Sequence, residues 1–212
     1  MQKSGADFLK NVNGAYIDER AEIAEGAIIY PNCYILGDTK VGENTVIYSG
    51  TTIENSKIGN DCEIKSSYIE ESIVGDGVHI GPFAHLRPKS VIGNECKIGN
   101  FVEVKNATLA KNTKASHLAY IGDADIGENC NIGCGAIFVN YNGKSKNRTI
   151  VGDNCFIGSN CNIIAPVCME KNTYICAGTT LTVDTKNDDF IIGRARETIK
   201  RNRAHNYLKE IR

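Results

Sequence analysis

The sequence predicts an all-β fold: a left-handed parallel β-helix of hexapeptide repeats that ends in a short C-terminal basic helix or tail. Three observations predict it. Large aliphatic residues recur every six positions, first Ile17, Ile23, Ile29, Ile35, Val41, Ile47 and Ile53, then Ile80, Leu86, Ile92, Ile98 and Val104, then Val151, Ile157, Ile163, Met169, Ile175 and Leu181. A period of six matches neither the turn of an α-helix nor simple strand alternation, but suits short strands joined by tight corners. Single-residue slips at Ile58, Ile64, Ile69 and Val74 shift the phase without ending it.

The second observation is a glycine column directly after the large residue, at Gly42, Gly59, Gly93, Gly127, Gly133, Gly152 and Gly158 among others, with Asn or Asp commonly next. That is the chemistry of a corner that needs backbone freedom. Third, a small residue stands two positions before the large one: Cys33, Thr45, Thr51, Cys62, Ala84, Ser90, Cys96, Cys130, Cys155, Cys161, Thr173 and Thr179. Residues two apart on a strand share a face, so both columns point inward. Roughly nine coils stacked at about 4.8 Å make a prism on the order of 40 Å long. The expected division is a β-helix over 1–185 and a basic tail over 186–212.

Composition agrees. Trp is absent and aromatic residues are 7%, so small and β-branched side chains must fill the core. The 24 Lys and Arg nearly balance the 25 Asp and Glu, which gives no global reason to expect nucleic acid or an anionic membrane as partner. Neither a signal-peptide core nor an apolar run long enough to span a bilayer is present, so a cytoplasmic protein is expected. Six of the nine cysteines fall in the small inward column and are read as compact core hydrophobes in a reducing compartment. The four histidines lack metal-site spacing, and no metal is expected.

Three stretches interrupt the repeat and need a reason other than packing. They are GPFAHLRP (81–88) with VEVK (102–105), KASHLAYIGD (114–123) leading into NIGCG (131–135), and VNYNGKSKNRTI (139–150), where Lys144, Lys146 and Arg148 have no acid close in sequence. His117 lies four residues before Ile121, outside both inward phases, and is expected to face outward.

GPFAHLRP, KIGNFVEVK, KASHLAYIGDADIG, NIGCG, NYNGKSK, FIGSNCNIIAPV and ICAGTTLT, in this order and spacing, resemble the acetyltransferase half of the bacterial bifunctional family that makes UDP-N-acetylglucosamine. That family joins glucosamine-1-phosphate acetyltransferase to N-acetylglucosamine-1-phosphate uridylyltransferase. The resemblance is densest over about 80–196 and looser through the N-terminal hexads. The family's uridylyltransferase domain comes first, whereas here the hexads begin almost at residue 1, so uridylyl transfer is not expected and a separate uridylyltransferase would complete the pathway.

What the resemblance implies can be placed residue by residue. His117 matches the catalytic base, a role suited to an imidazole whose ordinary pKa is about 6.5. Glu103 is expected to orient that imidazole. Arg87 and Lys105 match residues that hold the sugar phosphate, and Tyr120 and Asn131 match sugar contacts. On the acetyl-CoA side stand Cys134, Asn140, Tyr141, Ser159, Ala177 and Arg194, with Lys146 placed to meet a coenzyme A phosphate. The family transfers acetyl directly, so Cys134 is not expected to be a nucleophile. It is also trimeric, with the C-terminal segment near the coenzyme site across the interface. In that segment Ala204, Leu208 and Ile211 fall at helical spacing.

The expected activity is therefore acetyl-CoA-dependent N-acetylation of glucosamine 1-phosphate. Two alternatives stay open: the same mechanism on another amino sugar, or a non-catalytic trimeric scaffold or regulatory subunit.

Overall fold

The computed structural model describes residues 9–12 and 14–207, and in it the chain winds through three sheets of eleven, ten and nine strands. Each coil gives one short strand to each face in turn. The first face runs from Ala15–Asp18 to Thr180–Leu181, the second from Glu22–Ile23 to Val167–Met169, and the third from Ile28–Ile29 to Phe190–Ile191. Among the described residues the pairings between coils are parallel; the strand Leu9–Val12 runs antiparallel beside Ala15–Asp18, at the edge of the first face. The prism thus has close to ten coils rather than nine. Its ladder also continues past residue 185, because Phe190–Ile191 pairs with Tyr174–Ile175.

The slips in the repeat cost nothing in register. Thr52 pairs with Tyr68, and Tyr68 with His85, so shortened coils drop corner residues and leave Ile53, Ile69 and Leu86 stacked. Burial follows the two inward columns: Ile35, Ile53, Ile69, Leu86 and Val104 are all at 0% exposure, and the small column beside them is buried throughout. Burial pushes the thiols of Cys33, Cys62, Cys96 and Cys161 up, which keeps them protonated and inert. The ends of the prism are less covered, with Ile17, Ile23, Ile29 and Ile191 only partly buried.

Gly81 (φ 94°) has the backbone freedom expected of the glycine column, but most of the column has a different cause. The left-handed corner conformation is taken by the Asn or Asp further on, as at Asn44 (φ 54°), Asp61 (φ 54°) and Asn129 (φ 56°). The glycines are there because coils approach too closely for a side chain: a Cβ on Gly42 would lie 2.5 Å from the carbonyl of Gly59.

In the C-terminal segment the described residues include a 3-10 turn, Ala204–Asn206; Leu208 and Ile211, on which the expected helix rests, lie outside the described residues. The basic loop does have an acid nearby in space, since Arg148 grips the Asp125 carboxylate and donates to the backbone oxygens of Asn106 and Ala124. No helix among the described residues is long and apolar enough to cross a membrane.

Candidate active site

The interrupting residues gather on two edges of the prism. Where the third face turns into the first, the ladder Ala115, Ile132, Ile157, Ile175 puts the residues two positions on, His117, Cys134, Ser159 and Ala177, one above another on successive coils. Corner hydrogen bonds fix this line: Gly135 N to Leu118 O at 3.0 Å, Asn160 N to Cys134 O at 2.8 Å and Gly178 N to Ser159 O at 2.8 Å. From His117 to Ala177 the line spans three coil steps, roughly 14 Å. Its top is flanked by Arg194, whose Cδ lies 3.4 Å from where a Cβ on Gly178 would stand.

His117 ends the strand Lys114–His117 and is exposed, as its phase predicts. Its partner is not Glu103. Nδ1 faces the Asn100 side-chain oxygen at 2.6 Å, because the ladder sets Asn100 directly beneath it on the previous coil. Glu103 projects from the first face and takes a hydrogen bond from Arg87 Nη1 at 2.9 Å. The two side chains leave different faces of a three-sided prism and so diverge.

The second cluster lies on the first face and at its turn into the second. Tyr120 stands next to Glu103 in the ladder, and its ring lies over Gly122, where a Cβ would come within 2.5 Å of the hydroxyl. Gly122→Ala is therefore expected to push the Tyr120 hydroxyl off this position with little change in melting temperature, because the side chain can yield; a shifted Tyr120 ring signal by NMR beside an unchanged thermal melt checks this. Asn140 Nδ2 reaches the same hydroxyl at 3.5 Å. Asp123, buried at 6% exposure, accepts hydrogen bonds from Asn106 and Asn140 and faces Lys105 Nζ at 3.7 Å. Burial alone would raise the Asp123 carboxyl, but the two amides and the nearby lysines outweigh it and hold it below the usual carboxylate range. Lys146 is exposed, and the Lys105 ammonium beside it lowers its pKa.

Of the expected site residues, the structure thus joins Arg87 to Glu103, Lys105 to Asn140 through Asp123, and Tyr120 to Asn140 directly, with Lys146 beside Lys105. It aligns His117 with Cys134, Ser159 and Ala177. Tyr141 is exposed in the loop, its hydroxyl donating to the Gly143 oxygen at 2.7 Å, and Asn131 sits on the third face between Lys114 and Phe156 of the neighbouring coils, three residues before Cys134. Asn100, Asn106 and Asp123 escaped the sequence reading because each occupies a position that ordinary corners fill with Asn or Asp.

Comparison with known proteins fits this architecture. The family described as the GMPPB C-terminal domain matches residues 12–91 and 68–140, more than half of the chain. The chain belongs to that family. The residues matched to the GMPPB C-terminal domain include Arg87, Glu103, Lys105, His117, Tyr120 and Asp123, and the family of bacterial transferase hexapeptides (six repeats) matches 148–182, beyond the loop.

Curated relatives called "Bifunctional protein GlmU" match as well: 53% identical over 190 residues in Caldicellulosiruptor saccharolyticus and 50% over 190 in Clostridioides difficile, in each case 90% of this chain and 41% of the relative. The chain spans about two fifths of the length of the relatives it matches. Among solved structures, a UDP-N-acetylglucosamine acyltransferase of Francisella novicida is 21% identical with a TM-score of 0.35, covering 80% of this chain and 62% of that one.

Proposed function

We propose that the chain is an acetyl-CoA-dependent N-acetyltransferase that converts glucosamine 1-phosphate to N-acetylglucosamine 1-phosphate, a precursor of UDP-N-acetylglucosamine for the cell envelope. The observation that carries this reading is the His117–Asn100 pair. An amide oxygen only accepts hydrogen bonds, so Nδ1 carries the proton and Nε2 keeps its lone pair, exposed on the edge of the prism. Nε2 can then take the proton from the acceptor amine as its nitrogen bonds to the acetyl carbon. The acetyl thioester supplies the electrophile, and its C–S bond breaks as the amide forms.

The small side chains of Cys134, Ser159 and Ala177 support a path for an extended donor chain leading to His117, with Arg194 at its far end for a phosphate. Arg87, Lys105 and Lys146 bring three cations to one side of the prism, with guanidinium and ammonium donors suited to a sugar phosphate. Such a protein belongs in the cytoplasm, where its buried free thiols stay reduced.

Because the two clusters leave diverging faces of one prism, we read the complete site as formed between copies, in a trimer. Mixing a His117→Ala chain with a Lys105→Ala chain after dissociation is expected to restore about one quarter of the sites, the statistical share for a site made by two neighbours. Mixtures as inactive as the parents would place the site within one copy.

The function itself is tested by comparing glucosamine 1-phosphate with glucosamine as acceptor. Loss of the phosphate is expected to lower kcat/KM by on the order of 100-fold. Equal rates would remove the sugar phosphate from the proposal, and transfer to neither would remove the activity.

A further inference from the structure

At the corner between the first and second faces, Asn106, Asp123 and Asn140 stack on successive coils, and after Asn140 the chain leaves the repeat before rejoining it at Thr149. Asp123 is the middle member, with φ 48°, a conformation that Asp tolerates. One carboxylate oxygen takes the Asn106 amide; the other takes the Asn140 amide and faces Lys105 Nζ at 3.7 Å. Its backbone is held as well. Asp123 N donates to Lys105 O at 3.0 Å, and Asp123 O accepts from Thr149 N at 3.0 Å. A single residue thus grips the chain where the loop departs, through Asn140, and where it returns, through Thr149.

Ordinary corner residues share only part of this: Asn129 N donates to Lys111 O at 3.0 Å and its side-chain oxygen accepts from the Asn112 amide at 2.9 Å. Asn44, Asn129 and Asn154 share its left-handed conformation yet are exposed at the prism edge, whereas Asp123 is buried. Burying a carboxylate is costly unless it is paired and hydrogen-bonded, and here both oxygens are engaged. The two sides of the cluster also lead to different ligands in the proposed reaction. Lys105 belongs to the sugar-phosphate subsite and Asn140 to the donor subsite. With Nδ2 of Asn140 turned inward to the carboxylate, its amide oxygen is held outward as an acceptor.

We propose that Asp123 is a positioning residue that couples the two subsites, fixing the Asn140 amide and the Lys105 ammonium in one buried cluster and pinning the root of the 141–148 loop. The inference rests on the proposed function for the identity of the ligands, while the cluster itself does not depend on it.

Asp123→Asn keeps the shape and removes the charge. One oxygen becomes a donor that must face an amide donor, so Asn106 or Asn140 is driven to flip, the remaining amide bond loses its charged acceptor, and Lys105 loses its carboxylate. The expected result is a rise of about tenfold in the KM for both glucosamine 1-phosphate and acetyl-CoA, with the protein still folded at assay temperature. On a Lys105→Ala background the same change should move only the acetyl-CoA KM, and on an Asn140→Ala background only the sugar-phosphate KM. A corner residue with a purely structural role predicts instead a lower melting temperature and no such split.

A second measurement uses the unaltered protein without substrates: hydrogen exchange of the Asn140 side-chain amide, followed by NMR. It should be protected relative to the exposed Asn142 amide in the loop. Wild-type catalysis with an unchanged pair of KM values in Asp123→Asn, or an Asn140 amide that exchanges as fast as that of Asn142, overturns the inference while the proposed function stands. A wild type that transfers no acetyl group is a failure of the proposed function, and the exchange measurement then still decides whether the cluster is held.

Discussion

Replacing His117 by alanine is expected to lower the rate of acetyl transfer by roughly 10²–10⁴-fold, the range for loss of a general base, while acetyl-CoA binding stays near the wild-type value. The geometry argues for a loss in kcat more than in KM. His117 stands at one end of the line of small residues, so truncating it removes one contact from a donor path that extends over the three coils above. Asn100 is only half-buried and its hydrogen bond to Nδ1 lies at the surface, so its oxygen can turn to water and the fold is not strained by the change. Steady-state rates for both substrates, with acetyl-CoA binding measured by calorimetry, check this. A variant that keeps its rate would mean that Nε2 takes no proton in the reaction. Asn100→Ala should give a smaller loss in the same direction, because the imidazole then keeps its chemistry but not its fixed tautomer.

The largest effect on stability is expected at Gly99. A Cβ there would lie 1.9 Å from the carbonyl oxygen of Ser116 and 2.6 Å from its carbonyl carbon, and these are backbone atoms of the next coil with no rotamer to yield. Gly99→Ala must force apart the two coils that carry Asn100 and His117. The cost is about 3 kcal/mol or more, the upper end for overpacking, which corresponds to a drop in melting temperature of about 10 °C. In a solenoid each coil touches only its neighbours, so the break is local and should lower activity before the rest of the prism melts. Circular dichroism during heating measures the first effect, and the rate at a temperature where the variant remains folded measures the second. A melting temperature unchanged from wild type would mean that the coil spacing adapts in a way the close contact does not allow.

Much of the fold was legible because the repeat states its own phase. Once Ile35, Ile53 and Ile69 were known to share a column, the inward place of Cys33 and the outward place of His117 followed from counting. The sequence could not reveal what glycine does at Gly42 or Gly99, since a corner that needs free dihedrals and a coil that needs close approach select the same residue. Site legibility split along similar lines. Residues that break the repeat, such as His117, Arg87 and Lys146, were visible as anomalies. Asn100, Asn106 and Asp123 were not, because Asn and Asp at corners are what any coil uses, and only burial and register separate the working ones from the rest. Within one chain Glu103 does not meet His117, for a related reason: both face outward, but from different faces, and spacing along the chain does not say which edge brings side chains together.

The measurement that tests the account most directly is mass spectrometry of the product formed from acetyl-CoA and glucosamine 1-phosphate, with the wild type and His117→Ala side by side. The account predicts a species heavier than the acceptor by one acetyl group, with the acetyl on nitrogen, accumulating with the wild type and nearly absent with the variant. Wild-type protein that binds acetyl-CoA but leaves glucosamine 1-phosphate unmodified would contradict it.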